Sequence, residues 1–234
     1  MKSFIQGLKD SIPIAIGYFS VSFTFGIMAA GFGISPLTAG ALSLFNVTSA
    51  GQFAGITLFA VGSSYFELFV TQLVINLRYA LMSLTLTQKL APEVTVAQRF
   101  VMAYGVTDEI FAVAVTKDRP VTFPYMLGLE WFPILSWTLG TVAGGVANNL
   151  LPASIQSALG IALYGMFVAI VLPPASESFS VLFVVILAVI LSCAFYYLPV
   201  LNTVSSGFSI IICTVVSAGI GALLFPARFE EQGS

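Results

Sequence analysis

The stretch Phe179-Ser-Val-Leu-Phe-Val-Val-Ile-Leu-Ala-Val-Ile-Leu-Ser-Cys-Ala-Phe-Tyr-Tyr-Leu198 contains no charged residue from end to end. As a helix it would reach ~30 Å, the thickness of a bilayer's hydrocarbon core. A membrane β-strand would instead be ~10 residues long and alternate in polarity. The apolar runs here are long and unbroken, so the chain reads as helical.

The rest of the sequence agrees. Of 234 residues, 58% are hydrophobic and 8% charged, against ~25% charged in a soluble domain. Such a chain has little to cover a water-facing surface with, and the bilayer becomes its solvent. Residues 1–234 are therefore expected to form one transmembrane domain, an all-α polytopic helix bundle with room for about six to eight segments.

Composition also removes function classes. Net charge is −2 and histidine is absent, which argues against nucleic-acid binding, a histidine metal site and a histidine proton relay. Cys193 and Cys213 lie in apolar stretches and read as small core fillers. No cofactor or metal is expected. Lys2 and Lys9 precede an apolar run ending in small residues at Ala29 to Gly31, a pattern like a signal peptide. More membrane segments follow at once, favouring an uncleaved first helix.

Hydropathy punctuated by Pro, Gly and charge gives eight segments, at 12–31, 37–62, 66–88, 99–116, 123–148, 156–172, 178–198 and 203–225. Two are unlike plain spans. The second is interrupted by Asn46-Val47-Thr48-Ser49-Ala50-Gly51-Gln52, and the fourth is short with Asp108-Glu109 near its centre. Lys2 and Lys9, Lys89 and Arg99, Lys117 and Arg119, and Arg228 mark cytoplasmic positions, so both termini read as cytoplasmic. Both loops flanking the fourth segment are then inside, which no true span allows. Either that segment is re-entrant, together with the broken second, or one loop violates the charge rule. Gly17, Gly26 and Gly31 have counterparts at similar spacing in Gly128, Gly140 and Gly145. This reads either as an internal repeat or as close-packing positions.

Polar residues inside the spans carry the information, since a charge at mid-bilayer costs ~2.5–3.5 kcal/mol even on lenient scales. Arg78 lies well inside the third segment and should pair with Asp108 or Glu109 in a buried ion pair. That pair either fixes packing or is shared with substrate or proton during transport. Glu67 and Glu130 sit nearer segment ends and are expected to reach the interface by snorkelling. The break at Asn46 to Gln52 is expected to expose amides of a half-helix, with Thr48 or Ser49 capping the renewed helix and Gly51 permitting close approach. Such amides can hold a carboxylate at the bilayer midplane; the alternative is a kink satisfied by hydroxyls. Candidate substrate-binding residues are Asn46, Ser49, Gly51, Gln52 and Asn76, and candidate ion-pair or proton-coupling residues are Arg78, Asp108 and Glu109. Phe23, Phe45 and Phe53 are candidates for an apolar wall.

Pro13-Ile14-Ala15-Ile16-Gly17-Tyr18 with Phe25-Gly26, Ser49-Ala50-Gly51-Gln52, Asn76-Leu77-Arg78-Tyr79 and Asp108-Glu109, in this order and spacing, resemble the AzlC family of branched-chain amino acid permeases. The resemblance covers nearly the whole chain. It implies an exporter of leucine, isoleucine and valine, with methionine as a further candidate, at the bacterial inner membrane. It also implies a much smaller multi-span partner of the AzlD family. The sequence has no Gly-rich loop followed by Lys-Ser or Lys-Thr for nucleotide hydrolysis, so energy would come from an ion gradient, through Asp108 or Glu109, or from the substrate's own. Two other function classes compete. A non-transporting membrane subunit needs none of this chemistry. An intramembrane enzyme would have only Asp108 and Glu109, which point ~100° apart on a helix, so the chain is not expected to be an enzyme.

Overall fold

A computed structural model describes residues 2–148 and 171–226, with 150–152, 154, 155, 158, 165 and 168 between them. Nine α-helices are named among the described residues: α1 (Lys2–Gly31), α2 (Pro36–Phe45), α3 (Ala50–Ala60), α4 (Tyr65–Thr87), α5 (Val96–Gly105), α6 (Asp108–Val115), α7 (Phe123–Ala147), α8 (Phe179–Tyr197) and α9 (Ser206–Leu224). Four of them, α1, α4, α8 and α9, are long and apolar enough to cross a membrane. The expected segment 156–172 falls mostly outside the described residues, as do Arg228 and the last residues. The chain divides into two compact units, 1–56 with 76–163 and 57–75 with 164–234.

The first unit is built on α1 and α7. Gly7 meets the Tyr125 carbonyl and Gly26 the Thr141 carbonyl, while the Ser136 hydroxyl donates to the Ala15 carbonyl at 2.6 Å. The contacts advance together along both chains, so the two helices run parallel. Glycine makes this possible: a β-carbon would lie 2.0 Å from the Thr141 oxygen at Gly26 and 1.9 Å from the Phe23 oxygen at Gly144. Small residues let membrane helices approach backbone to backbone. Gly26, Gly128 and Gly140 serve this packing and Gly145 makes room for Pro36 of α2, whereas Gly17 and Gly31 meet nothing within 4 Å. Helix α1 also starts earlier than the sequence reading places it, running from Lys2 through Pro13.

Both irregular segments are pairs of half-length helices. Helix α5 has 10 residues and α6 has 8, each reaching ~12–15 Å, about half the hydrocarbon thickness. The loops at their outer ends are tied together. Leu90 and Val121 form a parallel bridge, the Ala91 N–H donates to the Val121 carbonyl at 2.9 Å, and the Val121 N–H donates to the Lys89 carbonyl at 2.8 Å. The α5–α6 pair therefore enters and leaves at one end of the unit, which is a re-entrant hairpin. Lys89 and Lys117 lie at that same end, and Lys117 pairs there with Asp10 of α1 at 2.7 Å. Of the two readings of the charge pattern, re-entry is the one this adjacency favours. A core of Leu86, Met102, Ile110, Val121, Met126 and Leu129 holds the hairpin in place.

Helix α2 ends at Phe45 and α3 begins at Ala50. Ser43, near the end of α2, accepts a hydrogen bond from Gln52 near the start of α3 at 2.5 Å, which ties the two helix ends together across the break. Pro36 sits against Gly145 and Ser43 against Thr141, which directs α2 from the far end of α7 toward its middle.

In the second unit the carboxylate of Glu67 accepts from the Ser205 hydroxyl at 2.6 Å and from the Gly207 N–H at 2.9 Å. It thus caps the N-terminus of α9 from a different helix. Glu67 is buried, so the expectation that it snorkels to the interface is corrected. Glycine at 207 leaves room for this carboxylate: a β-carbon would lie 2.5 Å from Glu67 Oε1 and make the Glu67 side chain shift. Helix α8 buries no residue, as suits a surface that hydrocarbon wets.

Candidate functional site

The inner ends of the two hairpins meet. The Tyr104 hydroxyl, one residue from the end of α5, donates to the Leu44 carbonyl at the end of α2. The gap in the first hairpin is occupied by Asn46, Val47, Thr48 and Ser49. Asn46 ends α2 with its N–H on the Leu42 carbonyl, and its own carbonyl accepts from the Thr48 N–H, both at 2.9 Å. Ser49 takes φ +35°, a left-handed conformation rare for a residue with a β-carbon. This turn reverses the chain. The N–H of Gly51 reaches the Thr48 carbonyl at 2.9 Å and that of Phe53 the Ser49 carbonyl at 3.0 Å. The Thr48 hydroxyl donates to the Asn76 side-chain oxygen on α4.

Gln52 is spent on protein. Its nitrogen donates to Ser43 at 2.5 Å, its oxygen accepts from the Trp137 indole at 3.0 Å, and Ser43 continues the chain to Thr141 at 2.6 Å. A buried network of this kind specifies one arrangement, since each member left unpaired costs ~1–3 kcal/mol. It pins the first hairpin to the middle of α7.

Charged residues gather at the second break. Val106 and Thr107 are extended between α5 and α6, and Asp108 and Glu109 open α6, where the helix dipole favours negative charge. Arg78 bonds Asp108 at 2.8 Å, with the side chains 40% and 43% exposed. The pair is therefore more open than the buried one expected. The Arg78 guanidinium also lies over the Tyr79 ring, 5.0 Å from its centre. Glu109 takes the other direction and accepts from the buried Tyr18 hydroxyl at 2.7 Å, which also sits 2.5 Å from Thr107 Oγ1. The Tyr18 ring packs edge-on against Trp137 at 5.3 Å.

The candidate residues thus divide into two groups in one unit: Asn46, Ser49, Gly51, Gln52 and Asn76 around the first break, and Arg78, Asp108 and Glu109 around the second. Asn76 and Arg78 are two positions apart on α4. The phenylalanines separate. Phe53 is core, edge-on to Phe25 at 5.2 Å, Phe45 is exposed, and Phe23 stacks on Phe19 at 6.4 Å. Tyr18 enters the sequence reading only within the resemblance motif, and Ser43, Tyr104 and Trp137 do not enter it; a polar atom on an aromatic ring inside a span is the signal that marks three of the four. Glu130 is corrected as well: it is buried with Oε1 unpartnered and packs against Gly105 at the tip of α5 instead of reaching the interface.

Comparison with known proteins decides the family. The AzlC protein pattern matches residues 13–151, which contain both hairpins and all eight candidate residues. The chain belongs to the AzlC family. It is 32% identical over 178 residues to the inner membrane protein YgaZ of Escherichia coli K12, covering 73% of this chain and 72% of the relative. An uncharacterized membrane protein of Archaeoglobus fulgidus is 35% identical over 174 residues, covering 73% of this chain and 75% of that one. A membrane protein of Helicobacter pylori J99 is 26% identical over 156 residues, covering 64% and 68%. No solved structure matches the chain. This AzlC-family chain is a helical membrane protein.

Proposed function

We propose that this AzlC-family chain is a secondary transporter that exports leucine, isoleucine and valine, with methionine as a further substrate, across the bacterial inner membrane. The observation that carries this reading is the meeting of two half-length hairpins beside Asn76 and the Arg78–Asp108 pair. Backbone interrupted at membrane depth is tolerated where it lines a cavity or binds a ligand. At the start of α3 the N–H groups of Gly51 and Phe53 turn to Thr48 and Ser49. Those of Ala50 and Gln52 belong to the same first turn of α3. An amino acid's carboxylate is matched to those amides, with Asn46, Ser49, Gly51 and Asn76 around it. Its ammonium is matched to helix-end carbonyls or to a carboxylate, and its aliphatic side chain needs only an apolar wall. Gln52 acts in this reading by holding the hairpin, not by touching substrate.

Glu109 and Asp108 are the groups proposed to couple flux to protons, each joined to a partner, Tyr18 or Arg78, that it could exchange. Both termini are proposed to be cytoplasmic, and a small AzlD-family membrane subunit to complete the exporter. The inner-membrane name of the E. coli relative supports the location. The test is counterflow of labelled leucine into vesicles holding this chain with and without the small subunit. Accumulation above empty vesicles is expected. None in either preparation, with the protein folded, would assign the chain a non-transporting role.

A further inference from the structure

At the loop end of the first unit lies a second polar feature that the transport reading does not use. A cavity of about 370 Å³ is lined by Lys2 and Gln6 of α1, by Lys117 and Arg119 of the α6–α7 loop, and by Thr122 and Tyr125 at the start of α7. Three cations from two separate segments face one space. Lys117 is shared with Asp10 at 2.7 Å and lies over the Tyr125 ring, 5.5 Å from its centre. Tyr125 in turn donates to the same Asp10 oxygen, Oδ2, at 2.8 Å. Among the described residues, Lys2 and Arg119 make no ion pair, so the lining keeps positive charge uncompensated. Thr122 also lines the cavity. Its Oγ1 is buried without a hydrogen-bond partner, and it opens α7 without capping it. A buried unpaired hydroxyl is costly unless something accepts from it.

We propose that this cavity binds a phosphate-bearing anion. A tetrahedral phosphate has acceptor oxygens facing several directions at once, which suits an arginine fork, lysine ammonium groups and a hydroxyl converging from different elements. A single carboxylate would leave some of these donors unserved. The N-terminus of the 25-residue α7 adds favourable potential. Two sources carry this chemistry: free phosphate and the headgroup of an anionic lipid, for which basic pockets beside membrane helices are suited. Ile5, Ile12 and Ile16 are exposed along α1 away from the cavity, which gives acyl chains an apolar path and favours the headgroup.

The test uses the full chain purified in a neutral detergent, with thermal unfolding followed as dihexanoyl-phosphatidylglycerol, dihexanoyl-phosphatidylcholine or inorganic phosphate is added. A rise in Tm with phosphatidylglycerol alone assigns the headgroup; a rise with inorganic phosphate as well assigns the free anion. In either case apparent affinity should fall about tenfold in Lys2→Gln/Arg119→Gln. It should be retained in Lys89→Gln/Arg99→Gln, which removes the same charge from nearby positions outside the cavity. Thr122→Val, which alters no charge, should weaken binding several-fold and decides the matter if the double variant does not fold. No stabilisation beyond phosphatidylcholine, equal losses in both double variants, or unchanged binding in Thr122→Val would overturn the site.

Discussion

At Gln52 the amide nitrogen donates to Ser43 and the oxygen accepts from Trp137, so Gln52→Ala strands the buried Trp137 indole N–H and leaves Ser43 with Thr141 alone. The variant should lose about 1–3 kcal/mol of stability, the cost of one buried group left unpaired, and differential thermal denaturation in detergent would read it. A change in leucine affinity with wild-type stability would instead place Gln52 in the binding site. Gly51→Leu is the contrasting case. It is expected to leave the fold intact and abolish flux, because its side chain would occupy the carboxylate's place beside the α3 amides. Gly26→Leu, by comparison, should fail to fold at all, since its β-carbon alone would lie 2.0 Å from the Thr141 oxygen. Glu109→Gln keeps an acceptor for Tyr18 and removes the carboxylate proposed to carry the proton, so flux should persist down a leucine gradient and cease to respond to an imposed pH gradient. Unaltered pH-gradient dependence would move coupling to another group.

Among the elements, the α5–α6 hairpin makes the sharpest topological statement. Single cysteines at Glu93 and Asp118, in a background with Cys193 and Cys213 replaced, should react with a membrane-impermeant maleimide from the same side. Opposite-side labelling would mean that α5 and α6 together cross the bilayer. The sequence carried much of this. Small and polar residues at 46–52 located the first break, and Lys89 with Lys117 on either side of one short segment posed the contradiction that re-entry resolves. Other features were not legible for a physical reason: partners chosen through space leave no spacing in the chain. Glu67 looked like a snorkelling interface residue, yet it caps α9 through Ser205 and Gly207, 138 and 140 positions away. Glu130 likewise stands near a helix start in sequence but deep in the packed core. The early start of α1 was hidden by Lys9, Asp10 and Pro13, which break an apolar pattern without breaking a helix; Asp10 and Lys117 pair and so bring the charge with them.

For the molecule as a whole, α1 and α7 form a rigid parallel pair joined through glycine, and both half-helix hairpins are held against it by side-chain hydrogen bonds. A frame that resists deformation beside backbone that lacks regular helical bonds is what a site for alternating access needs, because the ligand supplies bonds that the fold withholds. The central claim is that a substrate carboxylate is that ligand. It is tested most directly by counterflow of labelled leucine in vesicles carrying this chain and its small subunit, with unlabelled leucine or leucine amide as competitor. The amide keeps the ammonium and the side chain and removes the carboxylate charge. Strong competition by leucine and weak competition by its amide, at least about tenfold apart in half-inhibiting concentration, is the predicted result; equal competition by the two would contradict the account and leave the break at Asn46 to Ser49 as a turn in the fold.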